Sequence, residues 1–324
     1  MELKELGSDE LLPVAELNRA IWYPHTEADH YLDFYRTTLA TPWSQAHVRV
    51  MGLSQGTSLL CSFKLYTLDY RIGTKTYRTA GIGALMTFPE HRHKGYATHM
   101  LKAALTALRA SYQISMLFAE INPLFFARLG FVHIPTLLHE YDTTRSAASL
   151  AAMPPLPEGL IRPALEIDLE DVLPIYADTA PACPLGCVRD IWFWRHRMEL
   201  GRLHERLLGM PRDTYHLIVY GEPGNVNAYM WLSCRPQKWE VEEIAGRSGT
   251  SLEHLLEWTL REARAHKVPR VTCQVKGHAR AAWGNPHGTT QSEPAFMIHP
   301  LASSLDPDAL DRTECNLVWK TDRF

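Results

Sequence analysis

The sequence predicts an α+β fold in two tandem domains, each a mixed, mostly antiparallel sheet flanked by helices. Three observations lead there. The 324 residues exceed one typical domain. The order of strand and helix patterns in the first half returns in the second. Between them, from Asp142 through Ala148 and again from Met153 to Gly159, the chain turns small, polar and proline-rich, as a linker does. The expected division is 1–142, a linker at 143–159, and 160–324.

Taken in order, Glu2 to Leu6 reads as a short strand, and Ser8 as the N-cap of a helix carrying Leu11, Val14, Leu17 and Ile21. Residues Trp22 to His30 mix aromatic rings, imidazoles and carboxylates in a turn between two helices. A cationic amine could rest there against Tyr23, His25 and Glu27, or the segment is an ordinary polar loop. Val48 to Leu53 and Ser58 to Leu68 are strands around the Ser54–Gly56 turn. A further turn at Arg71–Lys75 leads into the strand Thr79 to Phe88, whose two glycines and following Pro89 predict a weakened or splayed end.

The helix after it is the best-marked element. Ala97, Met100, Leu101, Ala104, Leu105 and Leu108 recur at three- and four-residue spacing, one apolar stripe against a sheet. Its first turn aims backbone N–H groups into the loop Arg92-His93-Lys94-Gly95, and Gly95 permits close approach of a bound group. Amides, helix dipole and basic side chains together make an anion site, most plausibly for phosphate; the other reading is a solvated basic turn. Met116 to Ile121 follows as an apolar strand, and then Asn122-Pro123-Leu124-Phe125-Phe126 leads to Leu129-Gly130-Phe131.

Arg92 through Ala97 resembles the Gln/Arg-x-x-Gly-x-Gly/Ala signature of the GCN5-related N-acetyltransferases (GNAT), and Asn122 to Phe131 resembles their Asn-Pro, aromatic pair, Leu-Gly-Phe segment. The resemblance covers Leu59 to about Asp142. It implies that Arg92, His93, Lys94, Gly95, Tyr96, Ala97 and Thr98 hold the pyrophosphate of acetyl-CoA. It further implies that the backbones of Leu85, Met86 and Thr87 meet the acetyl-pantetheine end, with Ile121, Asn122 and Phe126 on the other wall. The connection between the first two helices would then lie over the acceptor.

In the second half, Leu160–Leu165 reads as a strand, Leu169–Asp178 and the aromatic-rich Asp190–Leu200 as helices. His216–Gly221, Val226–Cys234 and Trp239–Ile244 are strands. A helix capped by Thr250 with Glu253 and a strand at Arg270–Val275 complete the repeat. Its turn, Gly246-Arg247-Ser248-Gly249, lacks the Arg-x-x-Gly-x-Ala spacing, so this half is expected to be a degenerate domain without its own cofactor; an unrelated α+β domain is the alternative.

Composition narrows the function. Net charge is −3 and no basic block is long, which argues against a nucleic-acid footprint. Six cysteines are scattered without a Cys-x-x-Cys pair, as reduced thiols of a cytoplasmic protein would be, and Cys183-Pro-Leu-Gly-Cys187 has no second pair with which to hold a metal. No signal core or 18-residue apolar run is found, so the expectation is a soluble protein without membrane contact. A homo-oligomer is left open.

Gly81 to Ala84 and Leu117 to Phe126 are similar to the N-terminal half of the enhanced intracellular survival (Eis) acetyltransferases, which couple an active domain to a degenerate one. The resemblance implies an amine acceptor that is polyamine-like, an aminoglycoside or amino-acid-like, with a C-terminal carboxylate as base and a tyrosine as acid. This chain departs in two ways: it ends early for the third, sterol-carrier-like domain, and Phe126 stands where the tyrosine would be. The base candidates are Glu120 and the terminal carboxylate of Phe324, with His99 and His133 as lesser ones. A mycothiol-synthase-like tandem enzyme and a non-catalytic acyl-CoA sensor are the competing readings.

Overall fold

The structure is a computed structural model that describes residues 1–144, 156, 157, 159–179, 185–208, 214–274, 288–291 and 294–302. Its first half runs β1 (Glu2–Glu5), α1 (Leu11–Trp22), α2 (Ala28–Ala40), α3 (Pro42–His47), β2 (Val48–Gln55), β3 (Ser58–Ile72), β4 (Lys75–Thr87), α4 (Tyr96–Leu108), β5 (Ile114–Ala119), α5 (Pro123–Ala127), β6 (Val132–His133) and β7 (Leu137–Asp142). The second runs β8 (Ile161–Pro163), α6 (Leu169–Thr179), β9 (Leu185–Cys187), α7 (Ile191–Leu208), β10 (Thr214–Glu222), β11 (Asn225–Arg235), β12 (Lys238–Gly246), α8 (Gly249–Ala265), β13 (Arg270–Cys273), β14 (Gly288–Gln291) and β15 (Ala295–Pro300).

Two sheets of matching order result. The first reads β1-β2-β3-β4-β5-β15-β6, with β9 added alongside β3; the second reads β8-β10-β11-β12-β13-β7-β14. In each, one parallel step (β4 with β5, β12 with β13) breaks an otherwise antiparallel ladder. Each sheet also takes its penultimate strand from the other half of the chain. β15 inserts between β5 and β6, and β7 between β13 and β14. The change of sheet therefore falls between β6 and β7, ahead of the boundary expected at 142, and the two halves are joined by main-chain hydrogen bonds as well as by side chains.

The stripe on α4 buries Met100, Leu101, Ala104, Leu105 and Leu108 against the first sheet. Removing each larger one from water is worth roughly 1.5–3 kcal/mol. α8 does the same for the second sheet with Leu255, Leu256, Leu260 and Ala263. One continuous core joins Trp43, Tyr66 and Tyr70 of the first half to Trp194, Tyr229 and Trp231 of the second.

Two caps differ from expectation. A 3-10 turn at Ser8–Glu10 precedes α1, and there the Gly7 N–H donates to Glu10 Oε2 at 3.1 Å, so Ser8 caps nothing. At α8 the cap is Ser248, whose extended backbone (φ −145°, ψ 156°) lets Oγ accept from the Ser251 N–H at 3.2 Å; Thr250 already lies inside the helix. Among the described residues, Cys61 and Cys234 are free thiols, and no cluster of three or more His, Cys, Asp or Glu is placed to hold a metal. No described helix is long and apolar enough to cross a membrane.

Candidate active site

The first sheet opens where the glycines of β4 predicted weakness. β4 and β5 pair from Thr79 with Ile114 to Ile82 with Leu117 and then part. Just beyond, β4 carries a bulge: Ser62 faces Met86 but Lys64 faces Gly83, so β4 has one residue more than β3, and Ala84 takes φ 48°. The result is a wedge with an unpaired β4 edge on one side and the end of β5 on the other.

Positive φ marks the same place three times. Four described non-glycine residues adopt it, and Ala84, His93 and Asn122 all line one cavity of about 1170 Å³; the fourth, Lys267, is elsewhere. Backbone held in this region costs energy and gathers at binding sites.

The loop after β4 runs through a short 3-10 turn at Pro89–His91. Arg92 Nε donates to the Thr87 carbonyl at 3.2 Å, His93 turns left-handed, and Gly95 at φ 78° starts α4. No side chain caps α4, and a Cβ built on Gly95 would meet nothing within 4 Å. Exposed Arg92, His93 and Lys94 thus surround open amides at the positive end of a 13-residue helix, a ready anion cradle. The second domain is built otherwise at the equivalent turn. Ser248 caps α8 with its own hydroxyl, and Arg247 is drawn to Asp171 at 3.0 Å. After the last parallel pair of that sheet, Val241 with Cys273, the chain places Glu243 where β4 has its bulge. Glu243 is fully buried, bridged by both Arg189 nitrogens at 2.7 and 2.8 Å and by the Tyr229 hydroxyl at 2.6 Å.

The cavity lies between the halves. Leu85, Thr87, Arg92, His93, Ile121, Asn122 and Phe126 line it, as do Tyr23 and Glu120. The Met86 side chain instead packs into the core with α1 and α2. Lys94 and Gly95 are exposed, and Tyr96, Ala97 and Thr98 form the half-buried start of α4. α1 ends at Trp22, which leaves His25 and Glu27 exposed and outside the lining. His133 pairs with Met297 in the sheet and His99 is exposed on α4; neither lines the cavity. Phe324 lies outside the described residues.

Glu120 is exposed at the rim, where its Oε2 accepts from Trp22 Nε1 at 3.1 Å. Phe126 stands edge-on to Phe125 and Phe131, with ring centres 5.0 and 6.1 Å away. The opposite wall comes from α7, where Phe193, His196, Arg197, Leu200, Gly201 and His204 form a stripe at helical spacing. His204 Nδ1 lies 2.8 Å from the Leu200 carbonyl and must donate to it. Nε2 is therefore the acceptor, and the Tyr23 hydroxyl donates to it at 3.1 Å. Burial holds the His204 imidazole below its ordinary pKa, hence neutral. His196, stacked on Trp43 and bonded to Thr41 Oγ1 at 2.9 Å, is pushed down to about 3, mostly by burial. Burial also keeps the hydroxyls of Tyr31, Tyr35 and Tyr66 protonated.

Residues 2–134 match the family model for an acetyltransferase (GNAT) domain. This stretch is a GNAT acetyltransferase domain.

The family match is confined to that stretch, whereas the likeness to solved structures extends over both halves. A probable N-acyltransferase from Enterococcus faecalis V583 aligns over 93% of this chain and 72% of its own, at 15% identity and a TM-score of 0.66. Eis1 of Mycobacterium abscessus aligns over 93% and 74%, at 15% identity and 0.60. Saccharomyces cerevisiae N-myristoyltransferase, solved with myristoyl-CoA, aligns over 95% and 85%, at 10% identity and 0.56. Identities this low speak for the fold. No curated protein matches by sequence.

Lys64, His196 and His204 went unnoticed in the sequence. For the two histidines the signal was present in the helical spacing of Phe193, His196, Leu200 and His204.

Proposed function

We propose that the protein transfers an acetyl group from acetyl-CoA to the amine of a small molecule, with acceptor and thioester meeting in the cavity between the halves. The observation that carries this reading is the uncapped, left-handed start of α4 at Gly95, opening beside the wedge between β4 and β5. Arg92, His93, Lys94 and the first amides of α4 would hold the diphosphate, and the unpaired edge at Gly83–Thr87 would receive the pantetheine arm as an added strand.

Acetyl-CoA supplies a thioester: a neutral amine attacks the carbonyl carbon, the C–N bond forms, the C–S bond breaks, and the thiolate gains the proton the nitrogen must lose. Among the described residues that line the cavity, we assign two groups beside the wedge and the first helices as proton acceptors. One is the Glu120 carboxylate; the other is His204, reached through the Tyr23 hydroxyl. The terminal carboxylate of Phe324 remains a third candidate. Phe126 offers no proton to the leaving thiolate. Because a thiol of pKa about 8.5 leaves readily, water can serve at a cost of roughly one to three orders of magnitude.

Calorimetry with coenzyme A, together with acceptor-dependent thiol release across a panel of amines, tests the proposal. Phe126 favours one other reading, a non-catalytic acyl-CoA sensor. Tight binding with no thiol release under any acceptor would select it.

A further inference from the structure

Lys64 sits on β3 in register with Gly83, the first β4 residue beyond the last β4–β5 pair. Its side chain enters the cavity, and the ammonium lies 4.5 Å from the centre of the Tyr35 ring. Among the described residues no carboxylate bonds it. Burial lowers its pKa to about 8, so it still carries its charge at neutral pH. Lys64 is half-buried, so its charge is partly withdrawn from water without a counter-ion, and the ring face offsets only part of that cost.

More positive charge lies close by. After burial itself, the neighbours that lower the His196 pKa include Arg197 and Lys64, so these two cations and the imidazole share one region of the wall. Of the carboxylates that line the cavity, Glu120 accepts from Trp22, Glu240 lies 3.0 Å from Lys238, and Glu242 follows two residues on along β12; none forms an ion pair with Lys64. Besides Tyr35 beneath the ammonium, the cavity lining carries the aromatic rings of Tyr31, Phe34, Tyr66 and Phe193.

We infer that Lys64 anchors a carboxylate of the acceptor, and that the acceptor is an amine of the aromatic amino-acid class rather than a polycation. This rests on the N-acetyltransferase reading above and names its substrate class. Adjacent strands lie about 4.8 Å apart, so a carboxylate held at Lys64 leaves the neighbouring α-amine close to the open edge at Gly83. A polyamine would bring further positive charge to Lys64, while the aromatic faces suit a ring.

Calorimetric titration of the full chain, saturated with coenzyme A, with L-phenylalanine, phenethylamine and spermidine tests the inference, using wild type, Lys64→Met and Lys64→Arg. Phenylalanine is expected to bind at least ~10-fold more tightly than phenethylamine, the size of one charged hydrogen bond. Lys64→Met should erase that difference and Lys64→Arg should keep most of it. Equal or tighter binding of phenethylamine or spermidine overturns the inference, as does no binding of any of the three. So does a preference that survives in Lys64→Met. If that variant fails to fold, the wild-type comparison decides alone. Loss of the phenylalanine preference in Lys64→Arg as well as in Lys64→Met would mean that the charge at this position does not hold the carboxylate, and it overturns the inference. Coenzyme A binding without carboxylate preference sinks this inference only, whereas failure of coenzyme A to bind sinks the reading beneath it.

Discussion

Tyr23 and His204, 181 residues apart in sequence, are joined by a 3.1 Å hydrogen bond across the cavity, with the imidazole held edge-on to Phe34 at 4.7 Å. The bond ties the end of α1 to the middle of the second half. Tyr23→Phe and His204→Leu should each cost about 1 kcal/mol, a fall in Tm of some 2–4 °C for a chain this size. Measured as a double-mutant cycle, the pair should couple by at least ~0.5 kcal/mol. Strictly additive losses would mean the two side chains do not interact in solution.

Stability should fall in mild acid because His196 is kept neutral in the folded protein. Its folded pKa is about 3 against an ordinary 6.5, so the unfolded chain binds the proton first. The contribution is complete above pH 6.5 and shrinks as pH falls toward 3, by at most about 1.4 kcal/mol per unit. His204 and His216, also depressed by burial, act with the same sign. Thermal melts between pH 7.5 and 4.5 should show the slope, and His196→Gln should flatten it. An unchanged slope in that variant would exclude His196 as the source.

Gly95 and Ser248 start equivalent helices in different ways, and that contrast can be measured. Gly95→Ala should cost only about 1–2 kcal/mol of stability, since the methyl meets nothing but must adopt φ 78°. Its coenzyme A affinity should drop ~10-fold or more, because the methyl faces the anion cradle. Ser248→Ala should lose about 1 kcal/mol of capping with coenzyme A affinity unchanged. Equal effects of the two on affinity would remove the reason for calling the second domain degenerate.

Phe126→Tyr restores a hydroxyl at the wall of the wedge. If the enzyme merely lacks its acid, turnover with a given amine should rise by ~10-fold or more without a matching change in affinity for coenzyme A. A rate unchanged or lowered would place the proton donor elsewhere.

What the sequence disclosed and what it hid follow from the range of the forces involved. The α4 stripe, the basic loop and the repeated order of elements are local patterns, and Met100 through Leu108 pack as their spacing demands. The exchange of β7 and β15 is not local. Leu137–Asp142 and Ala295–Pro300 are ordinary strand segments, and two sheets of the same order offer each an equivalent slot. The cap at Ser248 rather than Thr250 was a choice between two hydroxyls two residues apart, decided by backbone angles. Lys64 read as one polar residue in a strand, and only the register with Gly83 shows that it faces the wedge.

The measurement closest to the central claim is a crystal structure of the protein soaked with coenzyme A. The account predicts the diphosphate against the amides of Gly95 to Ala97, with the pantetheine arm paired along Gly83 to Thr87. A nucleotide bound at the start of α8, or a wedge left closed while the nucleotide binds elsewhere, would contradict it.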